Sequence, residues 1–347
     1  MIVSIIILNF NQKELSLECL KSVLNQTYQD FEIIFVDNGS QDGSFEFIKS
    51  FISDLRVHFY KTEKNIGFAG GNNFGLKFAK GKYIVLLNND TKVEKDWLKY
   101  LVETIESGDN IGIVQSLVYT EGIPLKYYEK NGTINLLGHN IMRVFDIDAE
   151  GIGKILLASG TSMIFKKELI EKTNVLFPDE YFLYAEDTYL SLKAKFAGYD
   201  LLHTSKSVVS HIGSGTTKNL LPSGIYFYQE RNRLLNFLIF FNRSFIIKYI
   251  PVLIFNFKLK FIYCLFSNKY SLKGLLRTYK WFIFNRNWIK QKRLEISKLK
   301  KIPDNEVLKM ITSKITNGEN ISGKILNGIS YLYCKLLRIR ILENKSQ

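Results

Sequence analysis

Hydrophobic positions in the first two hundred residues fall into two kinds of run. Residues 3–8, 31–36, 57–60 and 83–87 are short, unbroken and rich in β-branched and aromatic side chains. Such runs predict strands, and their lack of polar alternation predicts a sheet covered on both faces. Between them, Leu15, Leu17, Leu20, Val23 and Leu24 recur at helical spacing, as do Phe45, Ile48 and Ile52, and residues 74–79 read as a third helix. Strands separated by helices predict a mostly parallel α/β sheet with right-handed crossovers, which binds ligands beyond the carboxyl ends of its strands. Two polar stretches stand at such ends, residues 37–40 and 88–91. Residues 118–155 read as loops or short strands. Regular pattern then returns with a strand over 160–165, a helix over 187–197, and strands over 201–203 and 208–211. No solenoid repeat or low-complexity tract interrupts the chain.

The character changes after Pro222, which divides the chain into an α/β domain over 1–222 and a helical region over 223–347. Across 347 residues the composition is 46% hydrophobic and 23% charged, which excludes wholesale disorder and collagen-like structure. The net charge of +14 is uneven. Residues 1–217 hold 22 Lys and Arg against 27 Asp and Glu, and residues 218–347 hold 25 against 6. Within 234–266, Arg243, Lys248, Lys258 and Lys260 interrupt the apolar residues and Pro251 breaks the pattern, so a spanning helix of about 20 apolar residues is not predicted. Aromatic residues interleaved with cations predict helices lying in the headgroup layer of an anionic membrane surface. Phe255, Phe257, Phe261, Trp281, Phe282, Phe284 and Trp288 would enter the interface, with Lys258, Lys260, Lys273, Arg277, Lys280, Arg286, Lys290, Lys292 and Arg293 facing anionic lipid. A soluble helical subdomain with a solvated basic face stays open as the alternative. No nucleic-acid module is present, so no nucleic-acid partner is expected. Cys19, Cys264 and Cys334 lie far apart and read as free thiols. The apolar start lacks a basic flank and reads as a buried strand rather than a secretory signal.

Several polar residues have the types and placement that chemistry requires. Asp37 ends the second strand, where an acid either accepts hydrogen bonds from a nucleotide or caps the next helix. Asn65, Gly67, Gly71, Asn72 and Asn73 belong to a Gly/Asn-rich stretch ahead of a helix start. There backbone N–H groups can approach an anion, or simply make a turn. The dinucleotide and P-loop fingerprints are both absent. Asn88, Asn89 and Asp90 follow the fourth strand, and a carboxylate there can hold Mg²⁺ or Mn²⁺. The capping box Thr91-x-x-Glu94 offers Asp90 a plainer role. Glu186 and Asp187 open a helix, as general base or as cap. His211 follows an apolar run and precedes Gly213, Ser214, Gly215 and Thr216.

In order, VSIIILNFNQ, VDNGSQDGS, NIGFAGGNNFG, YIVLLNNDT, FLYAEDTYLSLKAKFAGY and VSHIGSGT resemble the family 2 glycosyltransferases, in particular the rhamnosyltransferase-like branch. The resemblance runs over about residues 1–235. It implies a GT-A fold and inverting transfer from a nucleoside-diphosphate sugar, with dTDP-rhamnose the first expectation and a UDP-sugar the second. It puts Asn9, Phe10 and Asn11 at the base, Asp37 on the base and ribose, and Asn65, Gly67, Gly71, Asn72 and Asn73 over the phosphates. Asp90 becomes the metal-binding acid, Asn89 a ribose or phosphate contact, and His211 a further metal ligand. Asp187 becomes the catalytic base, with Glu186 and Arg231 toward the acceptor. Three features depart from the family pattern. The DXD position reads Asn-Asn-Asp, Tyr189 replaces an acid, and QxxRW is absent from Gln229-Glu230-Arg231-Asn232-Arg233.

The resemblance further implies a lipid-linked glycan acceptor, a role in cell-surface polysaccharide assembly, and a peripheral position on the cytoplasmic face of the plasma membrane. A non-catalytic nucleotide-sugar-binding scaffold of the same fold is the rival from another class. A nucleotidyltransferase fits less well, because the Gly-rich loop after the first strand is missing.

Overall fold

The computed structural model describes residues 2–120, 131–142, 147–171, 176–212, 222–266, 271–315, 321–339 and 341–342. The first half alternates strictly: β1 (Val3–Asn9), α1 (Lys13–Leu24), β2 (Phe31–Asp37), α2 (Ser44–Phe51), β3 (Val57–Lys61), α3 (Gly67–Leu76) and β4 (Tyr83–Asn88). After it come β5 (Thr91–Val93), α4 (Trp97–Glu106), β6 (Ile111–Thr120), β7 (Asn131–Ile134), β8 (Asn140–Met142), β9 (Ile152–Ile155) and β10 (Ser162–Lys166). Then follow α5 (Glu168–Glu171), α6 (Glu186–Phe196) and β11 (Asp200–His211). The C-terminal part is helical: α7 (Pro222–Phe240), α8 (Arg243–Phe266), α9 (Leu272–Phe284), α10 (Arg286–Leu299), α11 (Asp304–Leu308) and α12 (Ile321–Leu336).

The main sheet runs β3-β2-β1-β4-β10-β6-β11-β5, with β9 paired to β11. β3, β2, β1 and β4 are mutually parallel, and β10 lies antiparallel between β4 and β6. Side chains alternate between the faces of each strand. Val3, Ile5 and Ile7 therefore join one core with Leu17, Leu20 and Ile48, while Ile6, Ile34 and Val36 join the other with Ala69. Strand order reverses direction at β1. A right-handed crossover moving one way puts its helix on one face, and moving the other way on the opposite face. This sends α1 and α2 to one side and α3 to the other. A crevice is left at the carboxyl ends of β1 and β4.

The helix expected over 74–79 begins earlier, at Gly67, and takes in most of the Gly/Asn stretch. Glycine is a poor helix former, so the pattern hid this helix. Packing explains it: a Cβ on Gly71 would sit 2.4 Å from Leu8 Cδ1, and one on Gly75 2.9 Å from Ile6 Cγ2. The 201–203 and 208–211 runs are one strand, β11, with an irregularity between Thr204 and Val208. Thr91 is no capping residue. It starts β5, which pairs with β11, and its hydroxyl donates to Asn88 O at 2.6 Å. Cys19, Cys264 and Cys334 are free, and burial pushes the Cys19 thiol up to about 12.

No gap in packing follows Pro222. Leu235, Phe237, Phe240, Tyr249 and Ile296 belong to the same core as Ile6, Leu190 and Phe196. The aromatic residues assigned to a lipid interface divide. Trp281 and Trp288 meet edge to face at 5.7 Å and pack, half-buried, against this core together with Phe282. Phe255, Phe261 and Phe284 stay exposed. Among the described residues no helix is long and apolar enough to cross a membrane.

Gly81 tests the sheet. Its N–H donates to Ser4 Oγ at 2.7 Å, and a Cβ there would lie 2.6 Å from Ser4 N, which is backbone. Gly81→Ala is expected to cost about 1–3 kcal/mol, read as a lower urea midpoint with an unchanged slope. An unchanged midpoint would mean that β1 yields.

Candidate active site

The floor of the crevice is a polar network at the strand ends. Asn9 Nδ2 donates to Asp37 Oδ2 at 2.9 Å and to Ser40 Oγ at 3.1 Å, and Ser40 N donates to Asp37 Oδ1 at 2.9 Å. Ser16 Oγ donates to Asn9 Oδ1 at 2.8 Å, and Asn89 Nδ2 to Ser16 Oγ at 2.8 Å. Three strand ends and α1 are thereby locked together. Asp37 and Asn9 are fully buried, so they support the crevice from beneath rather than line it. Asn11 also stands off the wall. It adopts φ 54° and accepts from Gln41 N at 2.8 Å.

Above this floor is a cavity of about 530 Å³. Phe10, Asn65, Gly67, Asn89, Asp90, Glu186, Asp187 and His211 line it, all of them candidates from the sequence. Asn38, Phe68, Ser159, Gly160, Thr161 and Phe182 complete the wall and were not anticipated. Asn38 holds the 65–67 corner: its Oδ1 accepts from Ile66 N at 3.1 Å and its Nδ2 donates to Gly67 O at 3.1 Å. The remaining Gly/Asn candidates leave the cavity because they are helical. Gly71 packs on β1, and Asn72 Nδ2 donates to Phe68 O at 2.9 Å. Asn73 clasps the 177–179 turn through Phe177 and Asp179. Arg231 is displaced as well. It is buried, donates to Glu180 O and stacks on Phe227, Tyr228 and Trp281. A larger groove of about 770 Å³ between α3, residues 178–180 and α10 does not include Glu186 or Asp187.

The loop before α6 presents Glu186 and Asp187 at a conformational cost. Phe182, Tyr184 and Ala185 have φ of 56°, 73° and 59°, the left-handed region that side chains disfavour by about 1–2 kcal/mol each. Two asparagines on α7 hold it. Asn232 Nδ2 faces the carbonyls of Tyr181, Leu183 and Tyr184 at 2.9, 2.9 and 2.8 Å. Asn236 Nδ2 donates to Ala185 O at 3.0 Å, and its Oδ1 accepts from Tyr181 Oη at 2.6 Å. From the other side, Ala69 N donates to Phe182 O at 3.2 Å, and glycine is required at 67, where a Cβ would lie 2.4 Å from that oxygen. Asn232 was overlooked because its one visible signal, a polar residue amid apolar helical spacing, resembles an exposed face.

Glu186 and Asp187 are an acidic pair with divergent surroundings. Glu186 is buried and its Oε2 finds no partner. Burial first, and the Asp187 charge second, push its carboxyl up to about 8. Burial also raises Asp187, opposed by N–H groups of Thr188, at 2.6 Å, and Gly160. Burial thus favours the protonated form of the pair, and the N–H groups at Asp187 favour its carboxylate over that of Glu186. Both residues, with Tyr184, also border a second cavity of about 510 Å³. Asn140, Gln229, Glu230, Arg233 and Lys260 line its far side. Arg233 pairs with Glu230, but its Nη1 is buried without a partner. His139, on the same wall, is kept neutral, pushed down to about 2 by burial and then by Arg233.

Asp90 Oδ1 lies 3.2 Å from His211 Nε2 on the wall of the first cavity. One carboxylate and one imidazole fit a divalent cation such as Mn²⁺ that takes its other ligands from a phosphate. Among the described residues no group of three or more acids, histidines or cysteines would hold a metal unaided. The residues 213–216 that follow His211 in sequence lie outside the described residues.

Comparison with known proteins gives this arrangement a context. Residues 4–173 match the model of glycosyl transferase family 2. Glycosyltransferase GlyG of Streptococcus pneumoniae serotype 4 is 34% identical over 109 residues, 31% of this chain and 36% of the relative. Cholesterol galactosyltransferase of Borreliella burgdorferi is 35% identical over 117 residues, 34% of this chain and 32% of the relative. The matched stretch thus spans about a third of each relative's length. The crystal structure of GalNAc-T7 with UDP, GalNAc and Mn²⁺ superposes with a TM-score of 0.61 at 17% identity, covering 83% of this chain and 57% of that one. The shared fold is the GT-A fold.

Two outcomes test the loop and the pair. Asn232→Ala removes the amide that faces three loop carbonyls and should cost at least about 2 kcal/mol, measured by denaturant unfolding. For Glu186, the folded value lies above the ordinary 4.5, so its contribution to stability is full below that pH and is lost as pH rises toward about 8. Melting temperature should therefore fall less between pH 6 and 9 in Glu186→Gln than in the wild type. Parallel curves would place the proton elsewhere.

Proposed function

Since residues 4–173 belong to glycosyl transferase family 2, we propose that the protein transfers a sugar from a nucleoside-diphosphate sugar to an acceptor hydroxyl with inversion. The observation that carries this reading is the shared border of two cavities at Glu186 and Asp187. The donor enters the cavity over β1 and β4, and the acceptor enters the one beneath α7 and α8.

An alcohol is a poor nucleophile until its proton is removed. The acceptor hydroxyl gives its proton to Asp187 while its oxygen bonds to the anomeric carbon. The bond from that carbon to the diphosphate oxygen breaks, and its electron pair leaves with the diphosphate. Attack opposite the leaving group inverts the centre. Glu186, protonated, lowers the negative charge beside Asp187 and offers a hydrogen bond to the sugar. The Asn232 and Asn236 hydrogen bonds keep Asp187 at the junction. A divalent cation held by Asp90 and His211 would supply charge neutralisation for the departing diphosphate. The Mn²⁺ in the GalNAc-T7 crystals supports that assignment.

The donor base in this reading is uracil or thymine. The UDP of GalNAc-T7 supports a UDP-sugar, and dTDP-rhamnose is the competing donor. The acceptor is lipid-linked, at the cytoplasmic face of the plasma membrane. A relative named for transfer to cholesterol supports a lipid acceptor.

Asp187→Asn is expected to slow transfer by about 10²–10⁴-fold, measured as nucleoside-diphosphate release over a donor panel with Mn²⁺. Nucleotide binding by calorimetry should be unchanged. Transfer at about a tenth of the wild-type rate or better would remove Asp187 as the base. Absence of turnover with every donor, with nucleotide binding intact, would favour the scaffold.

A further inference from the structure

The outer surface of the C-terminal helices has a composition that a water-facing surface does not need. On α12, Ile325, Ile329, Leu332 and Leu336 follow one another by four, three and four residues, which places them on one stripe. They are 56%, 60%, 55% and 73% exposed. On α8, Ile247, Ile250, Ile254, Phe261 and Leu265 form a second exposed stripe. On α9, Leu276, Ile283 and Phe284 are exposed as well. The three helices are neighbours. Tyr333 Oη donates to Lys248 O at 2.5 Å, Lys248 Nζ donates to Leu337 O at 2.8 Å, and Phe257 meets Tyr279 edge to face at 4.8 Å.

Their charges are all of one sign. α8, α9 and α12 contain nine Lys and Arg residues and no Asp or Glu. Exposed apolar stripes of this size mark interaction surfaces. Cations bordering such stripes, without a single acid, match a partner that is apolar in bulk and negative at its boundary. A second copy of this chain would bring like charges together. We propose that α8, α9 and α12 form one docking face for a bilayer containing anionic lipid, with the helices lying in its headgroup layer. The net charge of −5 on residues 1–217 is repelled by the same surface and turns the sheet away from it.

This face adjoins the site. Lys260 lines the second cavity, adjoins Phe261 and lies about one turn from Phe257 on α8. Docking therefore holds the acceptor cavity at the membrane boundary, which extends the proposed lipid-linked acceptor. The docking itself rests on surface composition alone and holds even if the glycosyl-transfer reading fails.

Flotation of the full chain with vesicles separates the outcomes and needs no turnover. Phosphatidylcholine vesicles are compared with vesicles containing phosphatidylglycerol. Binding should be at least about tenfold stronger to the anionic vesicles and weaken with salt. The double variant I329E/L336E should lose at least about tenfold with an unchanged melting temperature. Leu55→Glu, at a 93% exposed position elsewhere, should bind as the wild type does. Equal flotation of wild type and I329E/L336E would overturn the proposal. So would a wild-type dimer in solution, seen by light scattering, that I329E/L336E dissociates, because a second copy would then cover the face.

Discussion

One buried amide holds the geometry on which the site depends. The backbone from Phe182 to Ala185 turns with three non-glycine residues in the left-handed region, a conformation that the loop's own side chains oppose. The Nδ2 group of Asn232 faces three of its carbonyls, and Asn236 holds a fourth. Without these bonds the loop would lose its ties to α7, and a relaxed loop would carry Glu186 and Asp187 out of register with the cavity. The asparagines stand on α7, within a core continuous with that of the sheet. The helical region is therefore part of the site's construction.

The rest of the arrangement follows from sheet topology and from charge. The change of direction between β1 and β4 opens the crevice, and the Asn9–Asp37–Ser16–Asn89 network closes its floor. That network uses up the Asp37 carboxylate, so ligand-facing polarity passes to Asn38, Asn65 and Asp90 one layer above. At the opposite wall burial raises both of two adjacent acids, and N–H donation opposes the rise at Asp187. Two cavities meeting at a divided acid pair allow a proton acceptor to serve one ligand while the other lies in line.

Much of this was legible in the residues, and the failures have physical causes. Apolar runs without alternation revealed β1, β2, β3 and β4, because strands buried on both faces leave that trace. The acids at strand and helix ends were found because polar residues interrupt such runs abruptly. Gly71, Asn72 and Asn73 were misassigned to a loop because propensity disfavours a helix there, whereas the contact of Gly71 with Leu8 requires one. Arg231 was taken for a ligand contact, yet it stacks on Trp281, a partner 50 residues away that no local pattern discloses. Asn232, one position on, has the more consequential role. Adjacent polar residues on a helix point to different neighbours, and sequence spacing cannot say which neighbour matters.

The bond between α7 and the 182–185 loop also sets where this chain can be recombined with its relatives. A chimera joined between β11 and α7 would preserve every strand pairing of the main sheet and still separate Asn232 from the carbonyls it holds. The 182–185 loop and α7 instead form one block, in which the loop and its clamp must change together. Crossovers before β10 lie upstream of that block and leave the clamp intact. On α7, exchanges that leave the two asparagines untouched do the same.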